Sequence, residues 1–278
     1  MIQTTSSAPA EQIARFSVAA LQKARRTARR RTVKAYTVGI VSALILLTGW
    51  DLLPRLGIAD KAFVSSPGQV LTEFGLLVQE PSTWRNVWDT LLASVLAMII
   101  GSVSGIFCAV LFWRFPAVRR GLSPLVTVLN ALPRPALAPL FIMWFGLGTA
   151  PKVLVGASVV FFVLLLNTLA GFQNVQPDIR TLSDSYGIGP WRRLLVIELP
   201  AALPAIIAGF RLGSVYAVLG VVVSEIVASY YGLGQMLVQA TNTFDVSRSF
   251  AILVFTAFIA TAFDLVISAL ERVTPGNK

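Results

Sequence analysis

Long apolar runs alternate with short polar segments along this chain, and the pattern predicts six membrane-spanning helices. The runs cover about residues 34–53, 91–112, 122–145, 151–172, 204–228 and 250–270. Each is close to the ~20 apolar residues that a helix needs to cross a ~30 Å hydrocarbon core. The runs are continuous rather than alternating, which disfavours a membrane β-barrel. We therefore predict an all-α polytopic membrane protein.

The segments between the runs carry distinct signatures. The longest, residues 54–90, is predicted to be external and to hold a helix along the membrane surface from Gly68 to Val78. A short basic connection covers residues 113–121, and a tight glycine turn covers residues 146–150. The Gly-Leu-Gly sequence at residues 232–234 predicts a turn before a short helix.

The third run is irregular because prolines interrupt it. Each proline removes a backbone donor and disfavours helix just before it. Broken backbone at membrane depth is tolerated where it is buried in protein or lines a cavity. We therefore expect this segment to line a pathway, and the alternative is a kinked helix that only packs. The prolines are Pro124, Pro133, Pro135 and Pro139.

Composition supports a membrane protein and excludes several kinds of chemistry. The 278 residues are 55% apolar and 13% charged, with a mean hydropathy of +0.74. The chain has one cysteine and no histidine, so it offers no intrachain disulfide and lacks the commonest metal ligand and general base. No G-x4-G-K-[ST] loop occurs either. We expect no metal site, no catalytic residues and no cofactor bound by this chain.

The distribution of basic residues predicts the orientation. Eight of the 23 Lys and Arg residues precede residue 35. With the N terminus inside, 16 lie in cytoplasmic segments and five in external ones, including Lys61 and Arg248. Basic residues flank spans on the cytoplasmic side, so both termini and Arg192 are predicted to be cytoplasmic. The net charge of +10 then indicates contact with membrane lipid, not with nucleic acid. Residues 13–24 could form an interfacial helix.

A polar segment, residues 182–204, separates the fourth and fifth runs. Nine residues separate Gly187 from Ile197, and one residue separates Ile197 from the pair Leu199 and Pro200. This spacing resembles the cytoplasmic coupling motif of ABC-transporter permeases, E-A-A-x3-G-x9-I-x-L-P. The resemblance implies a short helix that docks on an ATP-hydrolysing subunit. The residues that it assigns to this coupling are Ser183, Asp184, Tyr186, Gly187, Trp191, Ile197, Leu199 and Pro200.

One part of the motif is missing. The E-A-A triplet aligns on Thr181, Leu182 and Ser183, so the acidic residue is absent. Asp184 follows directly and is expected to substitute for it in part.

Other segments are similar to the nitrate/taurine/sulfonate-type branch of ABC importer permeases. They are SSPGQVL at residues 65–71, PLFIMWFGLG at 139–148 and SEIVASYYGLGQML at 224–237. The resemblance implies the transmembrane domain of a type I importer. It divides the chain into a basic cytoplasmic segment (1–33) and a first helix with its external connection (34–64). The transport domain (65–272) follows and contains the coupling loop (173–203), and a short tail (273–278) ends the sequence.

Four polar residues within the runs are candidates for the translocation path: Asn130, Arg134, Asn167 and Glu225. A charge as deep as Arg134 costs ~2.5–3.5 kcal/mol on insertion scales, so it should face a protein interior or a cavity. Arg134 could guide an anionic substrate, or it could be neutralised by free helix carbonyls or an acid. Glu225 could cap local backbone or pair with a cation. The two asparagines could instead hydrogen-bond between helices.

These observations favour the permease subunit of a bacterial ABC importer in the plasma (inner) membrane. The resemblance implies a homodimer with two cytoplasmic ABC ATPase subunits, which would hold ATP and Mg²⁺, and an external solute-binding protein. It also implies a small solute, such as a sulfonate, nitrate or carboxylate anion. A secondary transporter or channel is the alternative, but no internal repeat is evident. A membrane enzyme would need clustered acidic, histidine or cysteine residues, which are missing.

Overall fold

The computed structural model describes residues 37–57, 63–227 and 229–273, with side chains described as far as Ala269. The described residues form helices and turns and contain no strand. They fall into two compact units, one ending at Pro67 and one beginning at Gly68. The helices are α1 (Thr37–Arg55), α2 (Pro67–Gln79), α3 (Pro81–Arg114), α4 (Pro116–Ala131), α5 (Leu137–Phe145), α6 (Thr149–Gln173), α7 (Pro177–Ser185), α8 (Pro190–Arg193), α9 (Leu199–Val227), α10 (Leu233–Asn242) and α11 (Val246–Val273).

Five described helical segments are long and apolar enough to span a membrane, which confirms five of the predicted spans. They are Thr37–Arg55, Pro81–Arg114, Thr149–Gln173, Pro190–Val227 and Val246–Ala269. Several begin earlier than the apolar runs predict. Helix α3 begins at Pro81 instead of residue 91, because its polar first turns face other protein segments and not lipid.

The break predicted in the third run, residues 122–145, is confirmed, but the segment begins earlier than predicted, at Pro116. The chain forms α4 from Pro116 and then α5, and the two helices meet at 87°. Leu132 and Pro133 are extended between them, followed by a 3-10 turn at Arg134–Ala136. Prolines at residues 133 and 135 prevent the helical ladder from continuing, which is the physical cause of the bend. The pair makes a sixth span if it is counted as one.

The fifth span extends into the segment that was predicted to be a polar loop. Helix continues from Pro190 to Val227, through a π-helical turn at Leu194–Glu198. Pro200 has no backbone N–H to donate to the carbonyl of Val196, so the regular ladder is interrupted where the π turn lies. The coupling loop 173–203 therefore consists of α7, a turn, and the first turns of this long helix.

Helices α3, α6 and α9 form the core of the second unit. Small residues allow their backbones to approach closely, as is typical of membrane helices. A Cβ atom at Gly105 of α3 would lie 2.6 Å from the carbonyl oxygen of Phe161 in α6. One at Gly220 of α9 would lie 2.9 Å from the Cα of Gly156 in α6. Larger side chains such as Leu164 and Phe172 fill the space around these contacts and are fully buried.

The helix predicted at residues 68–78 is confirmed as α2, and it packs against α11. Its position along the membrane surface stays a prediction. The ring of Phe74 lies 5.4 Å from that of Phe255 and 5.8 Å from that of Phe258. By contrast, α4 has no buried residue and α5 has only Ala138. Their apolar side chains, including Val128 and Met143, are uncovered in the single chain. The possible interfacial helix of residues 13–24 lies outside the described residues.

We expect Gly105→Ala to destabilise the protein by about 1–3 kcal/mol, because the added methyl group overpacks the contact between α3 and α6. Gly121→Ala is the matched control, since a Cβ atom at Gly121 of α4 meets nothing within 4 Å. That change should be neutral or stabilising by up to about 1 kcal/mol. Thermal unfolding in detergent measures both variants. Equal melting temperatures would contradict the packing described here.

Candidate functional site

The tip of the coupling segment is a helix end closed by a glycine. The N–H of Ile188 donates to the carbonyl of Ser183, and the N–H of Gly187 donates to that of Asp184, both at 3.0 Å. This pair of bonds is the Schellman arrangement, which requires a left-handed residue after the helix. Gly187 has φ of 69°, and a Cβ atom there would meet nothing within 4 Å. The turn is therefore fixed by the backbone and open on its outer side.

Apart from Gly187, the seven other predicted coupling residues fall into three groups in the structure. Tyr186 and Trp191 are 76% and 54% exposed and flank the glycine turn. Ser183 is buried and bonds to the carbonyl of Ile179, while Asp184 pairs with Arg193, so these two hold the turn together. The remaining three belong to the start of the long helix and lie away from the tip: Ile197, Leu199 and Pro200.

A buried glutamate that the sequence analysis missed connects this segment to the core. Glu198 is 3% exposed and accepts a hydrogen bond of 2.7 Å from the indole N–H of Trp113 in α3. The Nε atoms of Arg193 and Arg180 lie 3.5 and 3.6 Å from its other oxygen. We call these four residues the Glu198 cluster. The signal in the sequence was a lone acid in the apolar stretch that leads into the fifth span.

Arg180 extends the Glu198 cluster to the end of α6. Its guanidinium donates to the carbonyl of Phe172 at 2.6 Å and lies 4.4 Å from the centre of the Trp113 ring. The rings of Trp113 and Phe172 stack at 5.2 Å. The segment that holds the glycine turn is thus bonded to α3, to α6 and to the beginning of the long helix.

Asn130 and Arg134 lie together at the bend between α4 and α5. Arg134 donates to the backbone carbonyls of Leu129 at 2.9 Å and of Asn130 at 3.1 Å, and to the Asn130 side chain at 3.1 Å. Its guanidinium lies 4.5 Å from the centre of the Phe162 ring. The structure therefore shows the arginine satisfied by the carbonyls of the broken helix, which was one of the two interpretations.

Asn167 is separate from this pair. Its amide donates to the carbonyl of Val163 at 2.8 Å, one turn earlier in α6, and its Cβ lies beside Gly209 of α9. Asn167 thus takes part in the packing of α6 against α9.

Glu225 lies at the opposite end of α9 and is fully buried. It accepts hydrogen bonds from the Thr90 hydroxyl at 2.9 and 3.0 Å and from the N–H of Gly234 at 2.9 Å. Lys152, which is 2% exposed, lies 3.4 Å away and also pairs with Asp89. We call these four side chains, Glu225, Lys152, Thr90 and Asp89, the Glu225 cluster. The glutamate pairs with a cation and accepts a backbone bond, the two roles foreseen for it.

The Glu225 cluster fixes the Gly-Leu-Gly loop before α10. Lys152 donates to the carbonyl of Tyr231 at 2.7 Å, and Thr90 accepts from the N–H of Leu233 at 3.0 Å. Gly232 has φ of 122°, and a Cβ atom there would lie 2.1 Å from the carboxylate of Glu225. Glycine is therefore required at this position, both by the backbone angle and by the buried acid.

A pocket of about 400 Å³ opens beside this loop. Its rim includes Tyr230, Gln235 and an ion pair of 2.5 Å between Glu80 and Arg248. A hydrogen bond from the Ser82 hydroxyl and the charge of Arg248 hold the pKa of Glu80 below its usual value. The pair links the start of α3 to the start of α11.

The chain belongs to the family of binding-protein-dependent transport system inner membrane components, whose model matches residues 101–274. It is 31% identical to a probable ABC transporter permease protein of Haemophilus influenzae over 78% of this chain and 87% of that one. It is also 31% identical to the riboflavin transport system permease protein RibX of Chloroflexus aurantiacus, over 84% and 87%. The taurine transport system permease protein TauC of Escherichia coli is 28% identical over 85% and 88%.

Solved structures share the fold. A bacterial ABC transporter that imports the acidic polysaccharide alginate matches with a TM-score of 0.60 at 16% identity, over 84% of this chain and 96% of that one. An inward-facing MetNI methionine ABC transporter matches with a TM-score of 0.58 at 20% identity, over 68% and 98%. The fold is thus that of type I ABC importer transmembrane domains. This chain is a multi-pass inner-membrane protein and a permease component of an ABC importer.

We expect Glu225→Ala to destabilise the protein by about 2–5 kcal/mol, because it removes a buried carboxylate and leaves the Thr90 hydroxyl and the Gly234 N–H without an acceptor, while Lys152 keeps Asp89 as its partner. Glu80→Ala is the matched control, since it removes a glutamate from an ion pair whose side chains are 40% and 33% exposed. That change should cost at most about 1 kcal/mol. Unfolding by heat or denaturant in detergent distinguishes them. Similar losses for the two variants would show that the Glu225 cluster is not a structural centre.

Proposed function

We propose that the segment from α7 to α8 is the coupling element through which a separate ATPase subunit drives this permease. The supporting observation is the combination of an exposed, backbone-fixed tip and a buried connection to the core. Tyr186 and Trp191 offer aromatic surface at the tip. Glu198 and Arg180 tie the same segment to α3 and α6. A push on the tip would then move the spans as rigid bodies, which is how two access states interconvert.

We propose an assembly of two copies of this chain, two ABC ATPase subunits and an external solute-binding protein. Two copies are supported by the uncovered apolar faces of α4 and α5, which a second chain would cover. ATP and Mg²⁺ would be held by the ATPase subunits, since the chain has no phosphate-binding loop. The pocket beside Tyr230 and Gln235 is a candidate contact for the external protein.

The transported solute is proposed to be small and to enter the cytoplasm by alternating access. The curated relatives carry names for riboflavin, taurine and aliphatic sulfonates, which differ widely in chemistry. An anion such as a sulfonate, nitrate or carboxylate is supported by the relatives that are named for taurine and for aliphatic sulfonates. In this proposal Asn130 and Arg134 border the path at the bend between α4 and α5, whereas Asn167 and Glu225 hold the neighbouring spans together.

Gly187→Asp is expected to abolish the ATP hydrolysis that is stimulated by solute and its binding protein, while leaving membrane insertion intact. The turn has room for the side chain within this chain, so the new bulk and charge would act on the docked ATPase. ATP hydrolysis by the reconstituted complex is the measurement, and immunoblotting of membranes checks insertion.

Gly57→Asp is the matched control for this experiment. Gly57 has φ of 70° and equally open surroundings, but it follows α1 in the segment 54–90, which is predicted to be external. Its variant should retain stimulated hydrolysis. Normal coupled transport by Gly187→Asp, or equal loss in both variants, would overturn the assignment of the coupling element.

The orientation is proposed from the charge asymmetry and is tested by cysteine labelling. In a Cys108→Ala background, Arg192→Cys should react only when an impermeant reagent has access to the cytoplasmic side. Lys61→Cys should react from outside, because basic residues are concentrated in cytoplasmic segments. Labelling of residue 192 from outside would invert the topology and remove the coupling proposal with it.

A further inference from the structure

A basic pocket of about 270 Å³ is lined in part by the Glu198 cluster, and the coupling proposal assigns it no ligand. It is formed where α3 ends and α4 begins, against the start of the long helix. Arg119, Arg180 and Arg193 line it together with Glu198, so it has an excess of positive charge. Trp113 and Pro116 give it an apolar wall. The pocket is therefore amphipathic, with cationic and apolar sides.

The arginines retain donors that the protein does not use. The Nε–H groups of Arg180 and Arg193 are buried without a hydrogen-bond partner among the described residues. They face Glu198 at 3.6 and 3.5 Å, well beyond the ~2.7–2.9 Å of a charged hydrogen bond. Arg119 makes no ion pair within the part of the chain that is described. An anion with several oxygen atoms would satisfy these donors at once.

The pocket lies at the level of lipid headgroups. Glu198 and Glu225 belong to one continuous helical segment and are separated by about 40 Å at ~1.5 Å per residue. A bilayer is ~40–45 Å thick when its headgroup regions are included. With Glu225 beside the loop at one end of the spans, Glu198 is placed in the headgroup region of the opposite surface. Trp113 and the neighbouring arginines fit this depth, since such side chains concentrate at the interface.

We propose that this pocket binds the phosphate headgroup of an anionic phospholipid. Arginine binds phosphate through two parallel hydrogen bonds, and basic pockets between spans at this depth bind lipid headgroups. The apolar wall of Trp113 and Pro116 favours a lipid over soluble phosphate, because the glycerol and acyl region can cover it. The excess positive charge favours an anionic headgroup, such as phosphatidylglycerol, over zwitterionic phosphatidylcholine.

A bound lipid would contact Arg180 and Arg193, which also hold the coupling segment. It would supply an acceptor for their unpaired donors and would strengthen the connection between the coupling segment and α3. This inference does not depend on the identity of the solute or of the ATPase.

Native mass spectrometry of the full-length protein tests the proposal. The protein is purified in its complex, equilibrated with mixed micelles of phosphatidylglycerol and phosphatidylcholine, and examined for retained lipid. We expect preferential retention of phosphatidylglycerol. Arg119→Gln should weaken that retention about tenfold, because one charged hydrogen bond to the phosphate is lost. Arg120→Gln is the matched control, since this neighbouring exposed arginine does not line the pocket and should retain the lipid as the native protein does.

Three outcomes would overturn the proposal. One is equal retention of the two lipids, and another is equal retention by the two arginine variants. The third is displacement of phosphatidylglycerol by millimolar inorganic phosphate, which would assign the pocket to a soluble anion. Arg180→Gln, compared at the same lipid concentration, provides a second variant, and a melting curve for each protein confirms that it is folded.

Discussion

The architecture depends on the close contact of α3, α6 and α9, and a buried glutamate closes that contact at each end. At one end, the carboxylate of Glu225 in α9 accepts a hydrogen bond from Thr90 of α3 and pairs with Lys152 of α6. At the other end, the carboxylate of Glu198 accepts a hydrogen bond from Trp113 of α3. Arg180 pairs with Glu198 and donates to the carbonyl of Phe172 in α6. Between the two ends, glycines bring the backbones together, so that the helices make contact along their length. The three helices thus behave as one body.

The consequence for transport is mechanical. A permease must convert a movement at one membrane surface into a change of access at the other, and a body that bends would absorb the movement. Here the coupling segment and the Gly-Leu-Gly loop are bonded to the same three helices. Bonds between buried charged groups are costly to break, so both loops should follow the body when it rotates. Helices α4 and α5 are more weakly packed and meet at 87°, so we expect the structure to deform there first.

Most of the fold could be predicted from the sequence, and the residues whose roles could not be predicted have one cause in common. Apolar runs predicted the spans, and Gly187 predicted a sharp turn, because lipid contact and backbone conformation are local properties. The coupling role of Gly187, Ile197 and Pro200 comes from a resemblance and stays a prediction. Asp89, Thr90 and Lys152 could not be recognised, since their partner Glu225 is distant in the sequence. The same holds for Trp113 with Glu198. Hydropathy also placed the start of several spans too late, because it treats a polar residue that faces protein like one that faces water.

The arginines show why charge alone does not assign a role in such a protein. Arg134 lies within an apolar span, which made it a candidate for binding an anion, yet its donors are already directed at helix carbonyls. Arg180 and Arg193 lie in a segment that resemblance assigns to an ATPase contact, yet each keeps a buried donor without a hydrogen bond. Since an unsatisfied buried donor is costly, a group that supplies the missing acceptor gains affinity from it. The unused donors, more than the number of charges, indicate where this protein is prepared to receive an anion.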